Sequence, residues 1–318
     1  MGPAARSQAQ PPATQSFVLK PIMKICGKEI RIRGKLARIA YLDGEGYEFL
    51  DNPKEVLEVL RTSERRIDLF TFVQKLSEPS PKFAYPIEWD NFAALRISTF
   101  DDWMTRLRPR IRTMVRKTER DGVLAREVPL DDALLQGIHA IYNESPIRQG
   151  RRFPHFGIDL ENLRRMKATF PDRSVFIGAF FNDTLIGFAK LVADEKWEQA
   201  GLMHILSAIQ HRDKAPTNAL IARAVRTCAE RQIQYLWYAN FSYGKRQHDS
   251  LAEFKRRNAF EKVDVPRYYV PLTALGRLAL RLGLHHSILD HVPAPLAVTY
   301  RRLRKSWYAK KYPGLENA

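Results

Sequence analysis

The stretch LMHILSAIQHRDKAPTNALIARAVRTCAERQIQYLWYANF, residues 202–241, decides how the rest of the chain is read. An apolar run from Leu202 to Ile209 meets a polar loop holding Arg212 and Lys214. Pro216 then opens a helix whose Leu220, Ile221, Ala224, Val225 and Cys228 recur at helical spacing. A second apolar run, Ile233 to Ala239, follows at once. Strand, polar loop, helix start and strand form an arrangement suited to anions. The first N–H groups of a helix lack internal partners, and its dipole favours negative charge there.

On the N-terminal side of this stretch the order is regular. A strand at 123–128 precedes helices at 131–143 and 159–169, which are separated by a long loop, 144–158. Strands at 174–181 and 184–193 are joined by the turn Asn182-Asp183, and a strand at 198–209 leads into the helix at 216–231. Beyond the strand at 233–239, a helix near 249–258 and strands near 260–264 and 267–272 complete the unit. Further upstream, a helix from Phe100 to Arg120 carries Trp103, Leu107, Ile111, Met114 and Val115 as an apolar stripe; Pro109 should kink or split it. Residues 36–42 and 47–50 read as a hairpin around Asp43-Gly44-Glu45-Gly46, Asn52 and Pro53 open a helix to about Arg61, and 67–74 read as a strand. No repeat of 20–50 residues is visible in the sequence.

The 318 residues suffice for two units that each bury a core. Four parts are expected: a disordered tail at 1–16, an α+β unit at 17–97, a larger domain at 98–272 and a basic amphipathic extension at 273–318. No apolar run approaches the roughly 20 residues that span a bilayer. Residues 1–16 have no apolar core and do not read as a secretory signal. Cys26 and Cys228 are expected to be reduced, mostly buried thiols, and the cytoplasm is the expected compartment. A net charge of +17 implies anionic partners without choosing among them. The excess crowds the 106–120 helix and the C-terminus from Arg301 to Lys311. On the helix it is read either as phosphate-binding or as a solvated face.

Three stretches resemble the GNAT acyltransferase superfamily in its Fem-like branch. They are LRPRIRTMVRKTERDGV (107–123), the hairpin VFIGAFFNDTLIGFAKLV (175–192) and LAEFKRRNAFEKVDVPRYYVPL (251–272). The resemblance covers roughly residues 98–272. It implies an α+β fold with a mixed, mostly antiparallel sheet flanked by helices, and a smaller GNAT-like unit before it. It also implies transfer of an acyl or aminoacyl group, from a CoA-type or other activated donor, to an amine of a sugar, lipid-linked or peptide acceptor. Many GNAT enzymes close glycine backbone on the CoA pyrophosphate; here the equivalent loop, Gln210 to Asn218, contains no glycine. Gln210, Arg212, Lys214, Thr217 and Asn218 are the expected donor-binding residues, with acyl-CoA as the expected co-substrate and no metal.

Acyl transfer to an amine needs a base, donors for the tetrahedral oxyanion and often an acid for the leaving group. By the resemblance, Tyr243 takes the place of the acid; the alternative is an interfacial tyrosine in a turn. His204 and Glu198 take the place of the base, with His211 as runner-up; lying an even number apart, His204 and Glu198 should share one face of a strand. The alternative for His204 is a hydrogen-bonded core residue. Glu144, Arg148, Arg151 and Arg152, in the 144–158 loop, are the expected acceptor contacts, the alternative being a basic surface loop. The cluster His285, His286, Asp290 and His291 lacks metal-ligand spacing. The rival reading is a catalytically inactive module that binds RNA or another polyanion; nucleic acid other than tRNA is disfavoured because no RNA-recognition signature is present. Leu275, Leu278, Leu282 and Leu284, beside Arg277 and Arg281, suggest peripheral contact with an anionic membrane at its inner face.

Overall fold

The computed structural model describes residues 22–78, 80–242 and 250–286. The expected tail at 1–16, Tyr243, Asp290, His291 and the basic C-terminus lie outside the described residues. The first half contains β1 (Ile22–Ile25), β2 (Lys28–Arg33), β3 (Ile39–Leu42), α1 (Pro53–Thr62), β4 (Leu69–Val73) and β5 (Ile87–Arg96). Next come α2 (Phe100–Arg106), α3 (Pro109–Arg120), β6 (Leu124–Val128), α4 (Asp132–Asn143), the two-residue strands β7 (Ile147–Arg148) and β8 (Arg151–Arg152), and α5 (Leu160–Lys167). The chain continues through β9 (Ser174–Phe181), β10 (Thr184–Ala193), β11 (Gln199–Ser207), α6 (Pro216–Glu230), β12 (Tyr235–Asn240), α7 (Ser250–Arg257), β13 (Glu261–Pro271) and α8 (Ala274–Arg281).

Eleven strands make one mixed, mostly antiparallel sheet in the order β1-β2-β3-β4-β13-β5-β12-β11-β10-β9-β6. The order is nearly symmetric about the β13–β5 contact. In one half β2 and β3 are antiparallel, and α1 carries the chain to β4, which runs parallel to β3. In the other, β10 and β11 are antiparallel and α6 leads to β12, parallel to β11. The last strand of each half is exchanged: β5 pairs with β12, and β13 with β4. A repeat invisible in sequence is thus present in topology.

Two hydrophobic layers sandwich the second half of the sheet. On one face Ile177, Ala189, Leu191 and Leu202 pack against Leu220, Ile221, Ala224 and Val225 of α6 and against Trp103 of α2. On the other, Phe176 and Phe188 pack against Leu134, Ile138 and Tyr142 of α4 and Leu163 of α5. Pro109 divides the arginine-rich helix into α2 and α3. Arg112 then donates to the carbonyls of Thr105 and Leu107 at the end of α2, while Arg108 pairs with Glu253 of α7 at 2.9 Å. Arg110, Arg116, Lys117 and Arg120 remain on an exposed face.

Several expectations need correction. The first hairpin is β1–β2, turning at Cys26-Gly27, not 36–42 with 47–50. Residues 47–50 form no strand, because Tyr47 is drawn between the rings of Phe170 and Trp237. Cys26, at the hairpin tip, is exposed; Cys228 is buried. The two strands expected near 260–264 and 267–272 are one, β13, running through Pro266. β5, the strand at the centre of the sheet, was not expected at all.

Candidate functional site

β11 and β12 are paired only through Gln199↔Tyr235, Ala200↔Leu236 and Gly201↔Trp237. β11 then continues from Leu202 to Ser207 without this partner, while β12 stays with β5 up to Asn240↔Phe92. A wedge opens between two parallel strands, and beyond Gly201 the backbone groups on its β11 edge have no strand partner among the described residues. Gly201 sits at its apex. A Cβ there would lie 2.5 Å from the ring of Trp237 and 2.6 Å from that of Tyr47, so the aromatic floor requires glycine.

The loop from Ile209 to Ala215 and the start of α6 stand beside the open end of the wedge. Ala215, at φ +51°, precedes Pro216 and gives α6 no side-chain cap. The Ser207 and Thr217 hydroxyls lie 3.1 Å apart and tie the end of β11 to the helix start. Arg212 to Lys214 form one 3₁₀ turn; Arg212 is exposed, and the Lys214 ammonium lies 4.7 Å over the Phe181 ring. His211 is half-buried with its ring 6.3 Å from Phe181. Gln210 is exposed and Asn218 buried.

The expected acceptor residues divide into two kinds. Arg151 and Arg152 are exposed on β8. Glu144 and Arg148 point inward and hold the loop. One Glu144 oxygen accepts from the Ile209 N–H at 2.6 Å, the other from the Gln210 N–H at 2.9 Å. Arg148 donates to Glu144 at 3.0 Å, to the Ser207 carbonyl at 2.9 Å and to the Ile141 carbonyl at 2.5 Å. Burial lowers the Arg148 guanidinium against the opposing pull of Glu144. A carboxylate thus already occupies two backbone donors that an incoming phosphate would otherwise meet.

His204 and Glu198 do not share a face. Lys190 pairs with His204 and Leu191 with Leu202, so Met203 is an extra, bulged residue that reverses the alternation. Glu198 lies just before β11, bound to Lys75 at 3.3 Å, and at about 3.3 Å per residue it is roughly 20 Å from His204. Burial first, then the charges of Lys167 and Lys190 and the ring of His155, push the His204 imidazole down to about 3. An imidazole held neutral in this way accepts a proton poorly.

Around His204 lies a group of residues that sequence reading did not single out: Tyr142, His155, Lys167 and Lys190. They come from four elements or loops, and nothing in local spacing links them. At the start of β5, His285 and His286 lie 2.8 and 3.2 Å from Glu88, a set of three groups that could hold a metal ion. The 2.8 Å contact is hydrogen-bond length and shorter than ligand-to-ligand spacing around a zinc ion.

No protein-family model and no curated protein matches this chain. Solved structures do match it. FemX superposes with a TM-score of 0.56 at 9% identity, covering 80% of this chain and 86% of that one. L-PGS from Bacillus licheniformis gives 0.56 at 12% identity, covering 90% and 89%. The C-terminal domain of a protein named as a lysylphosphatidylglycerol synthetase, from Agrobacterium fabrum, gives 0.54 at 14%, covering 82% and 87%. The chain therefore shares the fold of FemX and L-PGS, a mixed sheet flanked by helices on both faces.

Proposed function

We propose that this protein is an N-acyltransferase that seats an activated acyl or aminoacyl donor in the β11–β12 wedge and passes the acyl group to an amine. The observation that carries the reading is the wedge itself, opening beside an uncapped helix start and a loop bearing Arg212 and Lys214. Unpaired backbone on the edge of β11 supplies donors where negative charge develops on the tetrahedral oxygen. Positioning donor and amine together accounts for much of the rate. Tyr243 is assigned as the acid for the leaving group and the exposed Arg151 and Arg152 as contacts for an anionic acceptor. FemX and L-PGS are similar in fold, and the name of the Agrobacterium fabrum protein, a lysylphosphatidylglycerol synthetase, refers to a product that carries a lysyl, and so an aminoacyl, group. The carboxylate of Glu144 on two loop N–H groups, and the absence of glycine from Gln210 to Asn218, favour that donor class over CoA.

Calorimetry with acetyl-, succinyl- and long-chain acyl-CoA and with aminoacyl-tRNA tests the donor. One of them should bind, and Arg212→Ala with Lys214→Ala should weaken it. Binding of none, or affinity untouched by the double substitution, defeats the assignment. Tyr243→Phe should lower turnover and leave donor affinity unchanged.

α8 supports contact with an anionic membrane. It packs through Gly276 and Ala279, leaving Leu278, Leu282 and Leu284 exposed beside Arg277 and Arg281. No helix among the described residues is long and apolar enough to cross a membrane. Sedimentation with anionic but not neutral vesicles is the expected result; equal recovery in the supernatant with both would assign the leucines to another partner.

A further inference from the structure

Lys167 and Lys190 are both fully buried, and their surroundings differ. Lys190 is complete. Its three N–H groups meet the carbonyls of Lys167 (2.9 Å) and Thr169 (2.5 Å) and the Thr169 hydroxyl (2.8 Å), so it caps the C-terminal end of α5, where the helix dipole favours a cation. Lys167 is not complete. Its ammonium makes one hydrogen bond among the described residues, to the Tyr142 hydroxyl at 2.8 Å, and otherwise faces the rings of Tyr142 and Phe188 at 5.1 and 4.8 Å.

Other groups around it also have unused capacity. The Tyr142 oxygen accepts from Lys167, which leaves its own O–H to donate. The His155 ring stacks on Tyr142 at 5.1 Å, and its Nδ1 is buried with no hydrogen-bond partner among the described residues. His204, half-buried, faces the same side of the sheet as Lys190. Among the described residues no carboxylate acts on Lys167; its neighbours in charge are Lys190, His155 and His204, and burial together with Lys190 pushes it down to about 7. Val128, Phe176, Lys190 and His204 form one cross-strand row. A groove of about 600 Å³ at the sheet edge is lined by Val128, Phe176, Lys167 and Thr169, with Ser174 and Arg231 also on its walls; of the cluster only Lys167 reaches it, and Tyr142, His155 and His204 do not line it. Glu127, on its rim, is already engaged by Arg223, Arg231 and Thr227.

We propose that Lys167, Tyr142, His155 and His204 form a binding pocket for an oxyanion, a carboxylate or phosphate group. A buried ammonium with unfilled donors is costly alone, and an oxyanion supplies both the missing charge and the missing lone pairs. The pocket lies on the α4–α5 face, away from α6, and does not depend on which donor the wedge accepts.

Thermal melting of the full chain in inorganic phosphate, in acetate and in chloride at equal ionic strength tests this. Phosphate, acetate or both should raise the melting temperature saturably above chloride; which one does so identifies the oxyanion. Lys167→Met should weaken that binding by at least roughly tenfold while melting no lower than the parent without anion, since an apolar isostere replaces an uncompensated cation. Lys190→Met, which uncaps α5, should melt lower. Equal melting in all three salts, or a saturable shift retained by Lys167→Met, overturns the proposal. If Lys167→Met does not fold, Cε-labelled lysine NMR of the parent decides: phosphate or acetate should move the Lys167 resonance, and a stationary signal overturns the proposal.

Discussion

Glu144 accepts two backbone N–H groups of the donor loop and pairs with Arg148, and both side chains are mostly buried. Removing the charge leaves a buried guanidinium without its counter-ion, and breaking a buried pair from one side costs about 3 kcal/mol or more. Glu144→Gln should therefore lower stability by about that amount in urea denaturation; a change within the error of the measurement would mean the loop is held by other contacts. The buried lysines set a second expectation. Lys167 falls to about 7 and Lys190 to about 8, both below the ordinary lysine value. From pH 7 upward the folded chain releases a proton that the unfolded chain keeps, so stability rises with pH. Between pH 7 and 9 the parent should gain about 2 kcal/mol relative to Lys167→Met. Parallel pH profiles would place a charged lysine there throughout. Glu144, Arg148 and His204 stood out in the sequence, but their partners did not, because Tyr142, His155, Lys167, Lys190 and His204 meet only after four elements pack. A one-residue bulge at Met203 likewise defeats the alternation by which His204 and Glu198 were placed on one face.

Among the elements, β9, β10, β11, α6 and β12 were readable to within two residues, because each is an apolar run bounded by a turn, a cap or proline. β5 was not. IEWDNFAALR begins with mixed polarity, and only its second half, from Phe92 to Leu95, is buried throughout. Its role comes from pairing on both edges, with β12 and β13, which no local pattern reports. The amphipathic reading of α8 captured the leucines but not the helix's attachment. Gly276 lies on the Asp68 carbonyl, and a Cβ there would be 1.8 Å from that oxygen. Thr273, the N-cap, also donates to Asp68 at 2.8 Å. Gly276→Ala should push α8 off β4 and cost about 1–3 kcal/mol, with faster hydrogen exchange confined to residues 274–286. Unchanged exchange there would show that the helix can shift without loss.

For the whole molecule, the exchange of β5 and β13 makes one sheet of two similar halves. The sequence suggests a boundary at 97/98, yet β5 lies N-terminal to that point and pairs with β12 of the second half. A fragment starting at residue 98 would lose β5 and expose the edges of β12 and β13. It should aggregate or lose near-UV circular dichroism; a monomer that melts cooperatively would show that the second half is independent. The wedge lies next to this exchange, floored by Trp237 of β12 and Tyr47 of the first half, so both halves build the proposed donor site. Hydrogen exchange of the full chain with each acyl-CoA and with aminoacyl-tRNA tests that site most directly. A productive donor should slow exchange in residues 202–218 and 235–242 together. Protection by no donor, or protection confined to other segments, would contradict it.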